Sequence, residues 1–254
     1  MSADLYFEKI IEILRKVKET QRENIKRASK LMADAISQGR AVYTFGSGHS
    51  VLPAQDVFPR YGTFVGIQPI LDPRLMWFNI LGPGGVKELL WLERTEGYIK
   101  NVLDQYPITR KDVVIVYSHG GLNPAPIEVA IEAKKKGAKI IAITSMENQK
   151  KAKAIHSSGK KLSDIADITI DNGVPPEDAL VEVEGRKEKI SAGSTVSAVV
   201  ITMALVAETG KILNEMGKLP PIFMSPNICN DPEHNNNVFK AYREFYLKLF
   251  EEKF

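Results

Sequence analysis

The 254-residue chain is predicted to form a single doubly wound α/β domain: a five-stranded parallel sheet with helices on both faces and a helical extension over residues 1–38. Three observations predict it. Short β-prone runs alternate with helical periods from residue 41 to residue 216, the pattern of βαβ units. Two of those runs lead directly into turns rich in Gly, Ser and His, at 46–50 and 118–123. The composition, 44% hydrophobic and 26% charged, is that of an ordinary globular chain rather than a fibrous or disordered one.

Taken in order, Asp4 to Gln38 carries Ile10, Ile13, Leu14 and Val17, then Ile25, Ala28, Leu31, Ala35 and Ile36, at helical spacing. The polar stretch Thr20 to Asn24 is a point where it can divide, and Gly39 ends it. Ala41 to Phe45 reads as the first strand and Thr63 to Ile67 as the second. Pro73 and Gly82-Pro83-Gly84-Gly85 mark loops, and Val86 to Leu103 reads as one helix. Asp112 to Tyr117 is a β-branched third strand, followed by a helix from Pro124 to Lys136 that Gly137 ends. Lys139 to Ile143 and Ile165 to Ile170 read as the fourth and fifth strands. Thr195 to Met216 is a largely apolar helix, and Asn237 to Glu252 an amphipathic terminal one within residues 237–254.

The charge balance, 34 basic against 31 acidic residues for a net +3, points away from a nucleic-acid or membrane surface. The helical first 38 residues also lack a recognisable helix-turn-helix glycine turn. A small-molecule partner is expected. The lone Cys229 cannot form an internal disulfide and no leader opens the sequence, so a cytoplasmic location is expected. Lys, Glu or Gly interrupts the longest apolar stretches short of the ~18 residues of a membrane span, and no spanning segment is expected.

In an open parallel sheet, ligands bind beyond the carboxyl ends of the strands, where strand order reverses. A flavodoxin-like order, with the first strand beside the third, brings Gly46–Ser50 and Ser118–Asn123 together. Glycine admits close backbone approach, hydroxyls donate to phosphate oxygens, and a following helix N-terminus adds amide donors, so an anion such as phosphate is expected. The alternative is a pair of tight turns. Dinucleotide and Walker A patterns both fail: the third glycine of the first would fall at Val51.

Phe45-Gly46-Ser47-Gly48-His49-Ser50, Tyr117-Ser118-His119-Gly120-Gly121-Leu122-Asn123-Pro124 and Ile143-Thr144-Ser145 resemble successive phosphate loops of the sugar isomerase (SIS) phosphosugar-binding family. His156 to Leu162, Ala166 to Asn172, Ser194-Thr195 and Asp231 to Asn235 extend the likeness to small single-domain members with N-terminal helices. The resemblance implies a sugar-phosphate ligand contacted by Ser47, Gly48, Ser50, Ser118, Gly120, Gly121, Asn123, Thr144, Ser145, Ser194 and Thr195. SIS domains usually carry a second serine where Gly120 stands, so one hydroxyl is lost here, and Leu122 replaces a more polar residue.

Aldose–ketose isomerisation needs a base to move a proton between adjacent carbons and an acid to open the ring. Glu93 is the candidate base, with Glu88 and Glu96 nearby in sequence, and an exposed structural glutamate is the alternative. His49 and His119 lie in the site loops as candidate acids or bases. His234 is a third candidate catalytic residue, since a partner subunit can contribute to SIS sites, while His156 reads as a solvated loop residue. No cofactor or metal is expected: a zinc set of His49, His119, His234 and Glu93 would need convergence that no local spacing signals. The leading expectation is a sugar-phosphate isomerase or related ring-opening lyase. The runner-up is a non-catalytic sugar-phosphate sensor, followed by a scaffold with a vestigial pocket. A homodimer, or a tetramer made from dimers, is expected.

Overall fold

The structure is a computed structural model that describes residues 1–57, 59–76 and 85–251. Two helices open the chain, α1 (Ser2–Thr20) and α2 (Arg22–Ser37), divided at Gln21 within the expected polar stretch. Strand β1 (Val42–Gly46) follows, then a 3-10 turn at Gly48–Ser50 and the short helix α3 (Val51–Gln55). Next come β2 (Ile67–Pro69), α4 (Val86–Leu92), α5 (Tyr98–Leu103) and β3 (Val113–Tyr117). Helix α6 (Pro124–Lys135), strand β4 (Lys139–Thr144), helices α7 (Met146–Lys151) and α8 (Leu162–Ile165), and strand β5 (Ile168–Asp171) complete the alternation. Helices α9 (Ser194–Glu215) and α10 (His234–Glu251) close the chain.

All strands pair in parallel in the order β2-β1-β3-β4-β5. This is the flavodoxin-like order, so the chain reverses direction across the sheet between β1 and β3, and the loops after those two strands meet. Side-chain alternation along the strands builds two cores. Val42, Ile115, Tyr117, Ile141, Ile143 and Ile170 face one way, against α1, α2 and α9. Tyr43, Phe45, Val114, Val116, Ile140 and Ala142 face the other way, against α4, α5 and α6. Every residue of β1 and β3 is buried, as expected for parallel strands covered on both faces.

At their amino ends β1 and β3 are tied by a buried bidentate ion pair. Arg40 Nε and Nη2 lie 3.1 and 2.9 Å from the Asp112 carboxylate, which also accepts from the backbone N–H groups of Ala41 and Thr109.

Several element boundaries differ from expectation for identifiable reasons. The second strand begins only at Ile67, because Thr63 and Phe64 are engaged by the 222–223 segment: Phe223 N donates to Thr63 O at 2.9 Å and Phe64 bridges Ile222 in antiparallel fashion. The helix expected over 86–103 is two helices, since Gly97 adopts φ +85° and starts α5 afresh. Residues 162–165 form the turn α8, pinned by Lys161 N donating to Asp164, so β5 starts at Ile168. The terminal helix starts earlier than expected, at His234; Glu252, the end of the expected helix, and the expected loop residues Gly82, Pro83 and Gly84 lie outside the described residues.

Helix α9 is long and apolar enough by length and composition to cross a membrane, contrary to the expectation that no stretch would be. Its Ala198, Ile201, Leu205 and Leu213 are buried in the core facing α2.

Candidate functional site

The chain must fold back sharply to leave β1. A Cβ on Gly46 would lie 2.0 Å from the Ser50 carbonyl oxygen, so only glycine fits there. This fold-back directs the Ser47 hydroxyl to Glu93, donating to Oε2 at 3.0 Å. Asn123, at the start of α6, donates from Nδ2 to Glu93 Oε1 at 2.9 Å, and Arg94 Nη1 lies 3.1 Å from the same oxygen. Glu93 thus links the loops after β1 and β3 while only 7% exposed. Burial pushes its carboxyl above the ordinary glutamate value, partly offset by the Ser47 hydrogen bond and the Arg94 charge. Helix α4 ends at Leu92, so Glu93 caps it at the site rather than lying in the middle of a longer helix.

Beside this cluster is a small cavity lined by Ser50, Pro53, Tyr117, Ser118, His119, Ile143, Asn172, Ser194, Thr195 and Ala198. Ser118 Oγ accepts from Gly121 N at 3.1 Å, which leaves its hydroxyl proton available to donate toward a ligand. His119 is oriented from both ring nitrogens: Nε2 is 3.3 Å from Pro176 O and Nδ1 is 3.3 Å from Asn172 Nδ2. Since a carbonyl only accepts and the Asn172 amide nitrogen only donates, these partners select the Nε2–H tautomer.

The SIS domain family model matches residues 5–145. The chain belongs to the SIS family. A UPF0309 protein of Caldanaerobacter subterraneus is 40% identical to this SIS chain over 244 residues, covering 95% of it and 97% of the relative. A second UPF0309 protein, from Halalkalibacterium halodurans, is 36% identical over 230 residues, covering 91% and 93%. Phosphoheptose isomerase GmhA from Neisseria gonorrhoeae matches with a TM-score of 0.52 at 12% identity, over 82% of this chain and 97% of its own. A phosphoheptose isomerase from Francisella tularensis matches with a TM-score of 0.51 at 17% identity, over 82% and 96%. At such identities the likeness is one of fold.

The SIS fold brings some of the expected residues together and disperses others. Ser47, Glu93 and Asn123 form one cluster, and Ser50, Ser118, His119, Ser194 and Thr195 line the cavity next to it. Gly48, Gly120 and Gly121 lie in the same two loops, and His49 is exposed on the 3-10 turn. Thr144 and Ser145 are fully buried with committed hydroxyls: Thr144 Oγ1 donates to His119 O at 3.2 Å, and Ser145 Oγ donates to Val174 O at 2.7 Å. They shape the site as ties between loops. His234 Nε2 bonds Ile222 O at 2.8 Å, beside the segment that pairs with Thr63 and Phe64. That segment precedes β2, so within one chain His234 lies toward the amino ends of the strands, away from the cavity.

Glu88 pairs with Arg74 at 2.7 Å, and Glu96 accepts from Ser157 N and Oγ at 2.6 and 2.5 Å. His156, expected to be solvated, is instead enclosed: its side chain is 9% exposed and Nε2 lies 3.7 Å from both Glu96 and Glu128. Among the described residues, no group of three or more His, Cys, Asp or Glu is placed to hold a metal ion.

The expected amide donors at the start of α6 are also missing. Pro124 and Pro126 carry no N–H, and Ala125 N donates to the Glu93 carbonyl at 3.0 Å. The helix dipole persists there without a free first-turn donor.

Sequence reasoning missed Asn172, which is 2% exposed, lines the cavity and orients His119. Its signal was an Asx residue at the carboxyl end of a strand. It also missed Asp178, whose carboxylate accepts from Gly193 N at 3.0 Å, Ser194 N at 2.8 Å and Ser194 Oγ at 2.6 Å. Nothing in the sequence joins residues 178 and 194.

Proposed function

We propose that this chain binds a sugar phosphate at the carboxyl ends of β1 and β3 and isomerises it, with Glu93 moving the proton. The observation that carries the reading is the Glu93 carboxylate, buried between Ser47 and Asn123 and pushed up by that burial. A raised carboxyl approaches the balance between proton uptake and release that acid–base catalysis near neutral pH requires. Ser118, the loop amides around Gly120 and the start of α9 at Ser194 and Thr195 would receive the phosphate, and His119, released from Pro176 O, would hold the ring oxygen through its Nε2–H during ring opening. SIS membership and the fold shared with two phosphoheptose isomerases support the ligand class. On this reading a second copy of the chain supplies any role for His234, and the protein is a dimer or a tetramer of dimers.

One observation favours a second reading, a non-catalytic sensor. Both Glu93 oxygens already accept hydrogen bonds, which suits a structural clamp between two loops as well as a base.

The test is calorimetric titration with hexose, amino-sugar and heptose phosphates beside their unphosphorylated sugars, followed by a turnover assay on whichever binds. Saturable binding that requires the phosphate, with interconversion of aldose and ketose, supports the isomerase. Binding without turnover supports the sensor. Absence of binding across the panel refutes both.

A further inference from the structure

The cavity at the carboxyl ends of the strands measures about 10 Å³, room for a single water, whereas small-molecule sites run to roughly 300–1,000 Å³. A sugar phosphate therefore requires part of the wall to move. The segment between β5 and α9 is tied to the cavity wall on both sides. On one side, the Pro176 carbonyl accepts from His119 Nε2 at 3.3 Å and from Asn148 Nδ2 at 3.2 Å. On the other, the Asp178 carboxylate sits on the start of α9, holding Gly193 N, Ser194 N and Ser194 Oγ.

This second contact places a negative charge of the protein's own where a helix N-terminus favours an anion, next to the cavity-lining Ser194 and Thr195. At α6, the other long helix beginning at this site, the first-turn donors are removed by two prolines and the Glu93 carbonyl. Asp178 holds its position at φ +50°, and Ser191 sits at φ +67°, a region non-glycine residues adopt infrequently. The core ends at Val174 and resumes at Leu180, and residues 175–179 between them contribute no buried side chain to it.

We propose that residues 175–179 form a latch in which Asp178 occupies the anion seat of the empty site, and that the ligand's phosphate displaces it on entry. This deepens the sugar-phosphate reading and rests on it. The latch lowers apparent affinity by the fraction of molecules that are closed, so weakening it should tighten binding. Asp178→Asn removes the charge while keeping an acceptor, and should bind sugar phosphates about tenfold more tightly. Asn148→Ala removes one bond to Pro176 O and should tighten binding by roughly threefold to fivefold, matching the worth of one neutral hydrogen bond.

The experiment titrates the full chain and both variants with inorganic phosphate and the sugar-phosphate panel by calorimetry, and follows backbone amide resonances by NMR. The expected result is tighter binding by both variants, with the Glu177, Asp178, Ala179, Gly193 and Ser194 resonances of the wild type moving on saturation. Saturable wild-type binding that leaves those resonances in place, or Asp178→Asn binding no tighter, overturns the latch while leaving the sugar-phosphate reading intact. If Asp178→Asn fails to fold, Asn148→Ala decides, and unchanged affinity there overturns the latch. No binding by any of the three proteins removes the sugar-phosphate reading and the latch together.

Discussion

Replacing Glu93 by Gln tests its buried carboxyl most directly, because the change removes the charge and keeps the shape. In the wild type, Oε1 accepts from Asn123 and Arg94, and Oε2 accepts from Ser47. A glutamine oxygen retains the Asn123 and Arg94 bonds, and its amide can donate to Ser47 Oγ once that hydroxyl rotates to accept. The substitution should therefore cost less than about 1 kcal/mol of stability, whereas Glu93→Ala strands Ser47 and Asn123 and removes the Arg94 pairing, and should cost ~2–5 kcal/mol.

The comparison gains a sign from pH. The folded-state carboxyl lies above the ordinary value of 4.5, so the native state holds its proton where the unfolded state has lost it. The stability tied to this group is fully present below that value and is lost as pH rises through the raised one. Urea denaturation of both proteins across a pH series should then show Glu93→Gln gaining on the wild type as pH increases. A difference that stays constant with pH, or moves the other way, would mean that Ser47 and Arg94 outweigh burial, and would refute the argument for Glu93 as a poised base. If the base assignment is right, the same variant should lose about 10²- to 10⁴-fold in turnover.

Ser118→Ala should weaken sugar-phosphate binding by ~1.5–3 kcal/mol in calorimetry, the worth of a hydrogen bond to a charged group; unchanged affinity removes Ser118 from the site. At Gly120 an added Cβ meets only ordinary contacts near 3.9 Å, with Leu122 and Asn148. Gly120→Ser should therefore fold normally and, by restoring the hydroxyl that SIS domains usually carry there, tighten binding by roughly tenfold. Asp112→Ala removes the carboxylate from the buried Arg40 guanidinium, and should lower stability by about 3–5 kcal/mol in urea denaturation; a loss under 1 kcal/mol would mean that water reaches the pair.

The sheet was legible in the sequence where burial on both faces leaves a continuous β-branched run, as in Val113 to Tyr117 and Ile140 to Ile143. The two site loops were legible because glycine, serine and histidine cluster at the ends of such runs. The second strand was not, since Thr63 and Phe64 are as β-prone as Ile67 and only their pairing with residues 222–223 separates them. Pro124 and Pro126 were visible, yet that the intervening Ala125 N–H is taken by Glu93 follows from a contact across 32 positions that no local pattern encodes. His234 shows the same limit: its residue type suited the site, but chain direction after α9 carries it to the other end of the sheet.

The ion pair of Arg40 with Asp112 has a consequence for engineering. The two strands that present Ser47 and Ser118 leave from one shared anchor at their far ends, so their spacing is held from behind by Arg40 and Asp112 and from in front by Glu93, through Ser47 and Asn123. Loop sequences from other SIS proteins could therefore be grafted within 48–50 and 118–122 without retuning the sheet, provided Ser47 and Asn123 stay on Glu93, much as interchangeable jaws fit a vice whose spindle stays fixed.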